Sequence, residues 1–235
     1  MYFFLRASVP PCLCGELIGK DQSMHIPPGF LKPEVWIPMD VLSAAAVGYA
    51  LRKSGEEIDD TKMPVMGVVA SFIFAAQMVN FPVAGGTSGH LVGSALAVAI
   101  LGVWPGMLAM TAVVLMQALL FQDGGLDALG ANVFNMAVLG CLVSGVVIGI
   151  GRRFGRRAFY LSTALAGWLT VTAAALLCAV ELAVSKTSPF SVVVPAMTGI
   201  HVVIGVFEGL ISVAALRFIA AVKPDLVRIQ TGMEL

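Results

Sequence analysis

The sequence has little charge, and the charges it has are balanced. Only 12% of its 235 residues are charged, and 14 basic side chains match 14 acidic ones, so the formal net charge is zero. Without a basic surface, the chain has no electrostatic means of gripping nucleic acid. A GxxxxGK[ST] phosphate loop is also missing, which excludes a Walker-type ATP site in this chain. Any energy from ATP would have to come through a partner.

The four cysteines do not have the spacing of a zinc-finger or redox motif. Cys12 and Cys14 are separated by one residue, and Cys141 and Cys178 fall inside apolar runs. We predict that Cys141 and Cys178 are small core residues.

Apolar residues dominate the remainder. They make up 58% of the chain, and the mean hydropathy is +0.93, far above that of a soluble domain. The apolar runs do not alternate with period two, and a bilayer core requires each backbone amide to be bonded within its own segment. The 25 glycines suit close helix packing in lipid. The sequence therefore predicts an all-α, polytopic membrane bundle.

We predict about seven transmembrane segments, taking roughly twenty apolar residues as one crossing and allowing shorter ones between polar loops. Their approximate limits are Pro38 to Lys53, Pro64 to Asn80, His90 to Val103, Pro105 to Phe121, Leu126 to Gly151, Ala158 to Ala183 and Pro195 to Val222. The third and fourth meet at Trp104 and Pro105, which leaves room only for a tight turn.

The distribution of Lys and Arg predicts the orientation, because short loops rich in these residues stay in the cytoplasm. With the amino terminus outside and the carboxyl terminus inside, only Lys32 and Lys186 lie outside after Met24. The cytoplasmic set is Arg52, Lys53, Lys62, Arg152, Arg153, Arg156, Arg157, Arg217, Lys223 and Arg228. We expect residues 24–235 to form a single transmembrane domain.

Residues 1–23 form a separate segment that makes a poor signal peptide. Its apolar stretch, MYFFL, is short, and no basic residue precedes it. We favour an upstream start choice, with the working protein beginning at Met24. A retained or a cleaved extension remains an alternative.

A chain that begins at Met24 places a histidine in the second position. The free amine, the amide nitrogen of His25 and its imidazole can then close fused chelate rings around one metal ion. A fourth nitrogen from another histidine would complete a tetragonal site, the geometry that suits Ni(II) or Cu(II). The alternative is that His25 is an ordinary loop residue.

His90 lies in VNFPVAGGTSGHLVG, a glycine-rich break between two apolar segments. Irregular backbone at membrane depth is tolerated where it is buried or lines a cavity. In the predicted topology this break is on the same side as Met24, so the amino terminus can reach His90. Thr87 and Ser88 offer hydroxyls that could orient ligands. A Ser88–His90 hydrolase pair has little support, since no acid follows closely.

Other polar residues enter the apolar segments. For the group Gln77, Asn80, Gln122, Asp123, Asp127, Asn132 and Asn135 we expect packing between helices rather than ligand binding. His201 and Glu208 are seven residues apart, on one helix face. For Glu208, an interhelical contact and a coupling role stay equally open.

Three blocks of the sequence resemble the CbiM/NikM family, the substrate-binding components of energy-coupling-factor transporters for cobalt and nickel. They are MHIPPGFL, FPVAGGTSGHL and LLFQDGGLDALGANVFNMAVLG, and the HxxIGxxEG stretch from His201 is similar to the family's last helix. The resemblance implies a nickel or cobalt ion as transported substrate, bound by Met24, His25 and His90. It also implies partners: a transmembrane coupling subunit, ATPase subunits and often a small accessory membrane protein.

The resemblance further implies a non-enzymatic protein of the cytoplasmic (inner) membrane, which would feed cobalamin biosynthesis if it carries cobalt. Family members begin at the Met-His pair, whereas 23 residues precede it here. We therefore expect metal capture to require a free amino group on Met24. The alternatives are a passive channel and a membrane enzyme that uses His201, Glu208 or Ser88. The sequence leaves the choice between nickel and cobalt open.

Overall fold

The computed structural model describes residues 25–55, 58, 62–78, 81–83, 87–224 and 226–227, with the side chains of 81–83, 87 and 88 left aside. Residues 1–23 and Met24 therefore lie outside the described part. Within that part, seven helical segments follow one another: α1 Pro33–Ser54, α2 Lys62–Gln77, α3 Ser94–Leu101, α4 Val103–Leu120, α5 Leu129–Arg152, α6 Arg156–Val184 and α7 Phe190–Val222. A two-stranded antiparallel hairpin, β1 Phe81–Val83 and β2 Thr87–Gly89, lies between α2 and α3.

The prediction of a polytopic helical membrane protein is confirmed. Five helices, α1 and α4 to α7, are long and apolar enough to cross a bilayer. The shortest of them has 18 residues, which corresponds to about 27 Å and nearly matches a hydrocarbon core of about 30 Å. Large apolar side chains remain exposed on these helices, for example Leu161 and Phe218. Such faces are stable against lipid.

The second and third predicted crossings form shorter helices. The second, α2, has 16 residues. The third, α3, has only eight, about 12 Å, so it cannot cross the membrane by itself. All eight residues of α3 are buried, and α3 packs against α4, α5, α6 and α7. Its apolar run marks a helix enclosed by protein, and hydropathy alone does not distinguish such a helix from a lipid-facing one.

The fifth crossing is irregular in its middle. Within α5, Phe134–Leu139 is π-helical, between the α-helical stretches Leu129–Val133 and Gly140–Arg152. Single turns of this kind often occur at functional sites. The buried side chains of Asn132 and Asn135 come from this part of α5.

The two longest helices, α6 and α7, pack closely. A Cβ atom added at Gly209 would lie 2.5 Å from the main-chain oxygen of Ala164, so no larger residue fits without movement. Small residues permit this approach in a bilayer, where helix association depends on close packing. The contact fixes the face of α7 that carries His201 and Glu208. Of the two cysteines predicted in the core, Cys141 is buried and Cys178 is half-buried.

Candidate metal site

The segment that begins at His25 is held by main-chain and side-chain hydrogen bonds. The N–H of Ile26 donates to Oδ1 of Asn132 at 3.0 Å, and Nδ2 of Asn132 donates back to the Ile26 carbonyl at 3.3 Å. The N–H of Gly125 also donates to that carbonyl, at 2.8 Å. Further along, Asp127 accepts the N–H of Gly29 at 2.8 Å. The beginning of the described chain is therefore bound to the loop between α4 and α5.

Gly124 lies directly against His25. Its φ of +102° is in the region that favours glycine, and an added Cβ would lie 2.8 Å from the His25 Cβ and 3.1 Å from Asn132 Nδ2. The DGG motif thus lets the loop approach the histidine closely. We expected Asp127 and Asn132 to make packing contacts between helices, but their described partners are main-chain atoms of the amino-terminal segment.

His90 is buried directly after β2, and its ring orientation is fixed. Its Nδ1 lies 2.7 Å from the Leu91 carbonyl, which can only accept, so Nδ1 carries the proton and Nε2 presents a lone pair. Burial, together with the nearby His25, lowers the pKa of His90 to about 4. The imidazole is therefore neutral at physiological pH, the state that a metal ligand requires. The prediction for Thr87 and Ser88 concerns side chains outside the described part.

The fold brings the two predicted histidines together. The ring centroids of His25 and His90 are 5.4 Å apart, and the ring planes are inclined by 37°. Oδ2 of Asp123 lies 3.3 Å from Nδ1 of His25, so a carboxylate borders the pair. Both histidines are more than nine-tenths buried. Two imidazoles and one acid are thus neighbours in the interior of the bundle.

A third histidine faces the same space. A cavity of about 60 Å³ is lined by, among others, His25, His90, Asn132, Asn135, Cys178 and His201. This volume is ample for an ion or for water. His201 donates from Nδ1 to the Met197 carbonyl at 2.7 Å, which leaves the lone pair on Nε2. We had grouped His201 with Glu208 on one helix face, and the structure places His201 on the wall of this cavity.

Side chains alone do not form a complete ligand set. Within the described ranges, no three His, Cys, Asp or Glu side chains are arranged to hold one ion. A complete site on His25 and His90 therefore needs ligands of another kind. Met24, the remaining predicted ligand, lies outside the described residues.

Glu208 contacts the loop that follows His90. Its two carboxylate oxygens accept the N–H of Val92 at 2.9 Å and the N–H of Gly93 at 2.6 Å. Nε2 of Gln77, on α2, donates to the Val92 carbonyl at 2.6 Å. Glu208 therefore bonds main-chain amides, an arrangement that differs from a catalytic pair with His201.

Two acids of the site's surroundings, the half-buried Asp40 and the buried Glu181, were missed from the sequence. Asp40 accepts the N–H of Gly130 at 2.8 Å, and Glu181 accepts from Nδ2 of Asn135 at 2.8 Å. Each lies in an apolar segment, so the rule that intramembrane acids have a specific partner would have found them. It would not have named the partners.

Comparison with known proteins finds relatives over most of the chain. The family model described as "Cobalt uptake substrate-specific transmembrane region" (CbiM) matches residues 25–226. A protein of Haloquadratum walsbyi named as a metal transport protein is 46% identical over 87% of this chain and 93% of its own length. The "Fused nickel transport protein NikMN" of Rhodobacter capsulatus is 34% identical over 86% of this chain and 63% of its own length.

A solved structure extends the similarity to three dimensions. The crystal structure of a truncated transition metal transporter superposes with a TM-score of 0.79 and 31% identity, covering 84% of this chain and 99% of that one. These relatives are named as metal transporters. This chain is accordingly a membrane component of cobalt or nickel transport and not an enzyme. The chain belongs to the CbiM family.

Proposed function

We propose that this chain captures Ni(II) or Co(II) at the outer face of the cytoplasmic membrane for an ATP-driven energy-coupling-factor importer. The ligands are the amine of Met24, the amide and imidazole nitrogens of His25, and Nε2 of His90. The observation that carries the proposal is the meeting of the His25 and His90 rings in a buried cavity.

The ring geometry supports a shared ion. Nitrogen ligands lie about 2.0–2.1 Å from an ion such as Zn²⁺, so two imidazoles on one ion hold their centroids roughly 4.5–6.5 Å apart. The observed separation of 5.4 Å falls within this range. The tautomer of His90 also directs a lone pair away from its own main chain.

The charge at the site supports an amide-coordinated cation. A divalent ion with one deprotonated amide and otherwise neutral nitrogen ligands carries a net charge of +1, which is costly to bury without an anion. Asp123, 3.3 Å from His25, supplies a negative charge beside this position. The amine ligand exists only if Met24 is the first residue, so the proposal includes a working domain of residues 24–235 with a free amino group.

Transport requires partners that this chain does not supply. We propose a transmembrane coupling subunit, a pair of ATPases and a small accessory membrane protein. Support comes from the family resemblance and from the lack of a Walker-type loop in the sequence. A passive channel is the second candidate, and it would conduct the ion without an ATPase.

The chemistry of the proposed ligands favours nickel. Affinity for nitrogen ligands rises from Co(II) to Ni(II), and a tetragonal set of nitrogens suits Ni(II). The relative from Rhodobacter capsulatus is named for nickel, and the family model is described for cobalt. If the ion is cobalt, the uptake serves cobalamin biosynthesis.

Metal analysis of the purified chain tests the proposal. We expect one Ni(II) or Co(II) per chain when the protein begins at Met24, and loss of the ion in His25→Ala and in His90→Ala. Ser71→Ala is the control, because this exposed hydroxyl bonds only within its own helix, to the Gly67 carbonyl. If both histidine variants retain the ion, the ligand assignment is wrong.

A further inference from the structure

The loop after His90 is fixed from two sides. The carboxylate of Glu208, on α7, accepts the N–H groups of Val92 and Gly93, and the side chain of Gln77, on α2, donates to the Val92 carbonyl. Gln77 and Glu208 are both at most 2% exposed. The three hydrogen bonds hold the N–H and the carbonyl of Val92 and the N–H of Gly93. Val92 lies two residues after His90.

The choice of a carboxylate at position 208 has a local reason. Val92 and Gly93 directly precede α3, where the first N–H groups of a helix have no partner within the helix. Two such donors that point to one place need two acceptors, and a carboxylate supplies both. A glutamine of the same size supplies one acceptor and presents an N–H₂ group in place of the other.

The residue before His90 also rests on α7. A Cβ added at Gly89 would collide with the side chain of Ile204 and would lie 3.6 Å from Nε2 of His201. His90 is therefore flanked by two contacts to the same helix, at Gly89 and at Val92–Gly93. The position of α7 sets the position of the His90 ring.

His25 is held by a different part of the bundle. Its segment is bonded to Gly125, in the loop between α4 and α5, and to Asn132, near the beginning of α5. The two imidazoles are thus held by different parts of the bundle. The distance between them depends on the position of α7 relative to the start of α5. Glu208, on α7, contacts neither ring, but through the loop it can change the distance between the two imidazoles.

We propose that Glu208 is the positioning residue for the metal site: through Val92 and Gly93 it sets His90 at coordinating distance from His25. This inference rests on the proposed function and deepens it.

The test compares Ni(II) binding by variants with Ni(II) binding by the unchanged protein, each purified as the chain that begins at Met24. Binding is measured by calorimetry and by the d–d absorption of the bound Ni(II). In Glu208→Gln we expect affinity to fall by roughly tenfold, the lower end of effects for residues that orient metal ligands. The absorption should shift, because the His90 nitrogen is displaced. The number of sites per chain should stay at the value of the unchanged protein.

Glu181→Gln is the matched control. It also removes a buried carboxylate from a long helix, but its partner is the Asn135 side chain and not the loop at 90–93. We expect it to keep the d–d spectrum of the unchanged chain. A role of Glu208 in general stability would instead lower the number of sites and leave the spectrum of the bound ion the same.

Each outcome decides the question. Folded Glu208→Gln protein with unchanged affinity and spectrum overturns the inference. If that variant does not fold, Gln77→Leu decides, because it removes only the bond to the Val92 carbonyl: a weaker affinity with a shifted spectrum supports the inference, and unchanged binding overturns it. Failure of the unchanged chain to bind either Ni(II) or Co(II) contradicts the proposed function itself, and the two failures are thereby told apart.

Discussion

Replacing Gly124 with alanine adds one methyl group where the loop between α4 and α5 touches His25. The added Cβ would lie 2.8 Å from the His25 Cβ, closer than such atoms come in real structures. The φ of +102° adds a second cost, because a residue with a side chain rarely adopts it. The protein must therefore either strain the loop or move His25.

The two costs can be estimated separately. An alanine in a left-handed conformation costs about 1–2 kcal/mol. An extra methyl group in a packed position costs about 1–3 kcal/mol. We expect Gly124→Ala to destabilise the metal-free chain by roughly 2–5 kcal/mol if the loop stays in place. If His25 moves instead, the loss of stability is smaller and Ni(II) affinity falls, since the imidazole leaves its position next to His90.

Two other glycines separate these effects. Gly29 has a φ of +78° with nothing near its added Cβ, so Gly29→Ala carries the backbone cost alone. Gly48 lies within α1, also with open space around it, so Gly48→Ala should be neutral or slightly stabilising. Thermal unfolding in detergent and Ni(II) calorimetry on the three variants provide the comparison. If Gly124→Ala matches Gly48→Ala in both measurements, the described contact between Gly124 and His25 is wrong.

The remaining predictions concern the partners and the charge of the same two histidines. Asn132→Leu leaves the N–H of Ile26 without its acceptor, so we expect a loss of about 1–3 kcal/mol in unfolding free energy and weaker Ni(II) binding, measured on one sample. Burial holds the pKa of His90 at about 4 against an ordinary value of 6.5, so between these pH values the unfolded chain binds a proton that the folded chain does not. The stability of the metal-free chain should fall by about 3 kcal/mol as the pH drops through this window, and His90→Gln should flatten the curve; an identical curve for the variant would show that His90 is not buried as described. Acetylation of the Met24 amine in a chain that begins there should abolish the nitrogen chelate, which the d–d spectrum of Ni(II) reports, and an unchanged spectrum would exclude the amine as a ligand.

Hydropathy predicted the helical framework well because the bilayer imposes length and composition on each crossing. All seven predicted segments contain a helix, and five of these helices are long enough to span. Hydropathy did not predict that the helix Ser94–Leu101 has only eight residues and is enclosed by protein. A helix enclosed by protein and a helix exposed to lipid are equally apolar. We expected the following turn at Trp104 and Pro105, and it lies two residues earlier, at Gly102.

The chemistry of the site was predictable in part. His25 and His90 were singled out by their residue types and settings, and the structure places their rings together. The partners of Glu208 and Asn132 were not predictable, since helical periodicity gives the face on which a side chain lies but not the segment that meets this face. In both cases the partner is a main-chain amide of a loop, and such donors have no signature in the sequence.

The hydrogen bonds of Glu208 and Asn132 explain how two irregular segments can be rigid inside a membrane. An unbonded amide in an apolar interior is costly, so the Val92 and Gly93 donors and the Ile26 donor each fix their loop to the side chain that accepts them. The hydrogen bonds that satisfy these main-chain donors therefore also orient the two imidazoles. This coupling requires that a change in either loop's bonding appears as a change in the coordination of the ion, and not only as a change in stability.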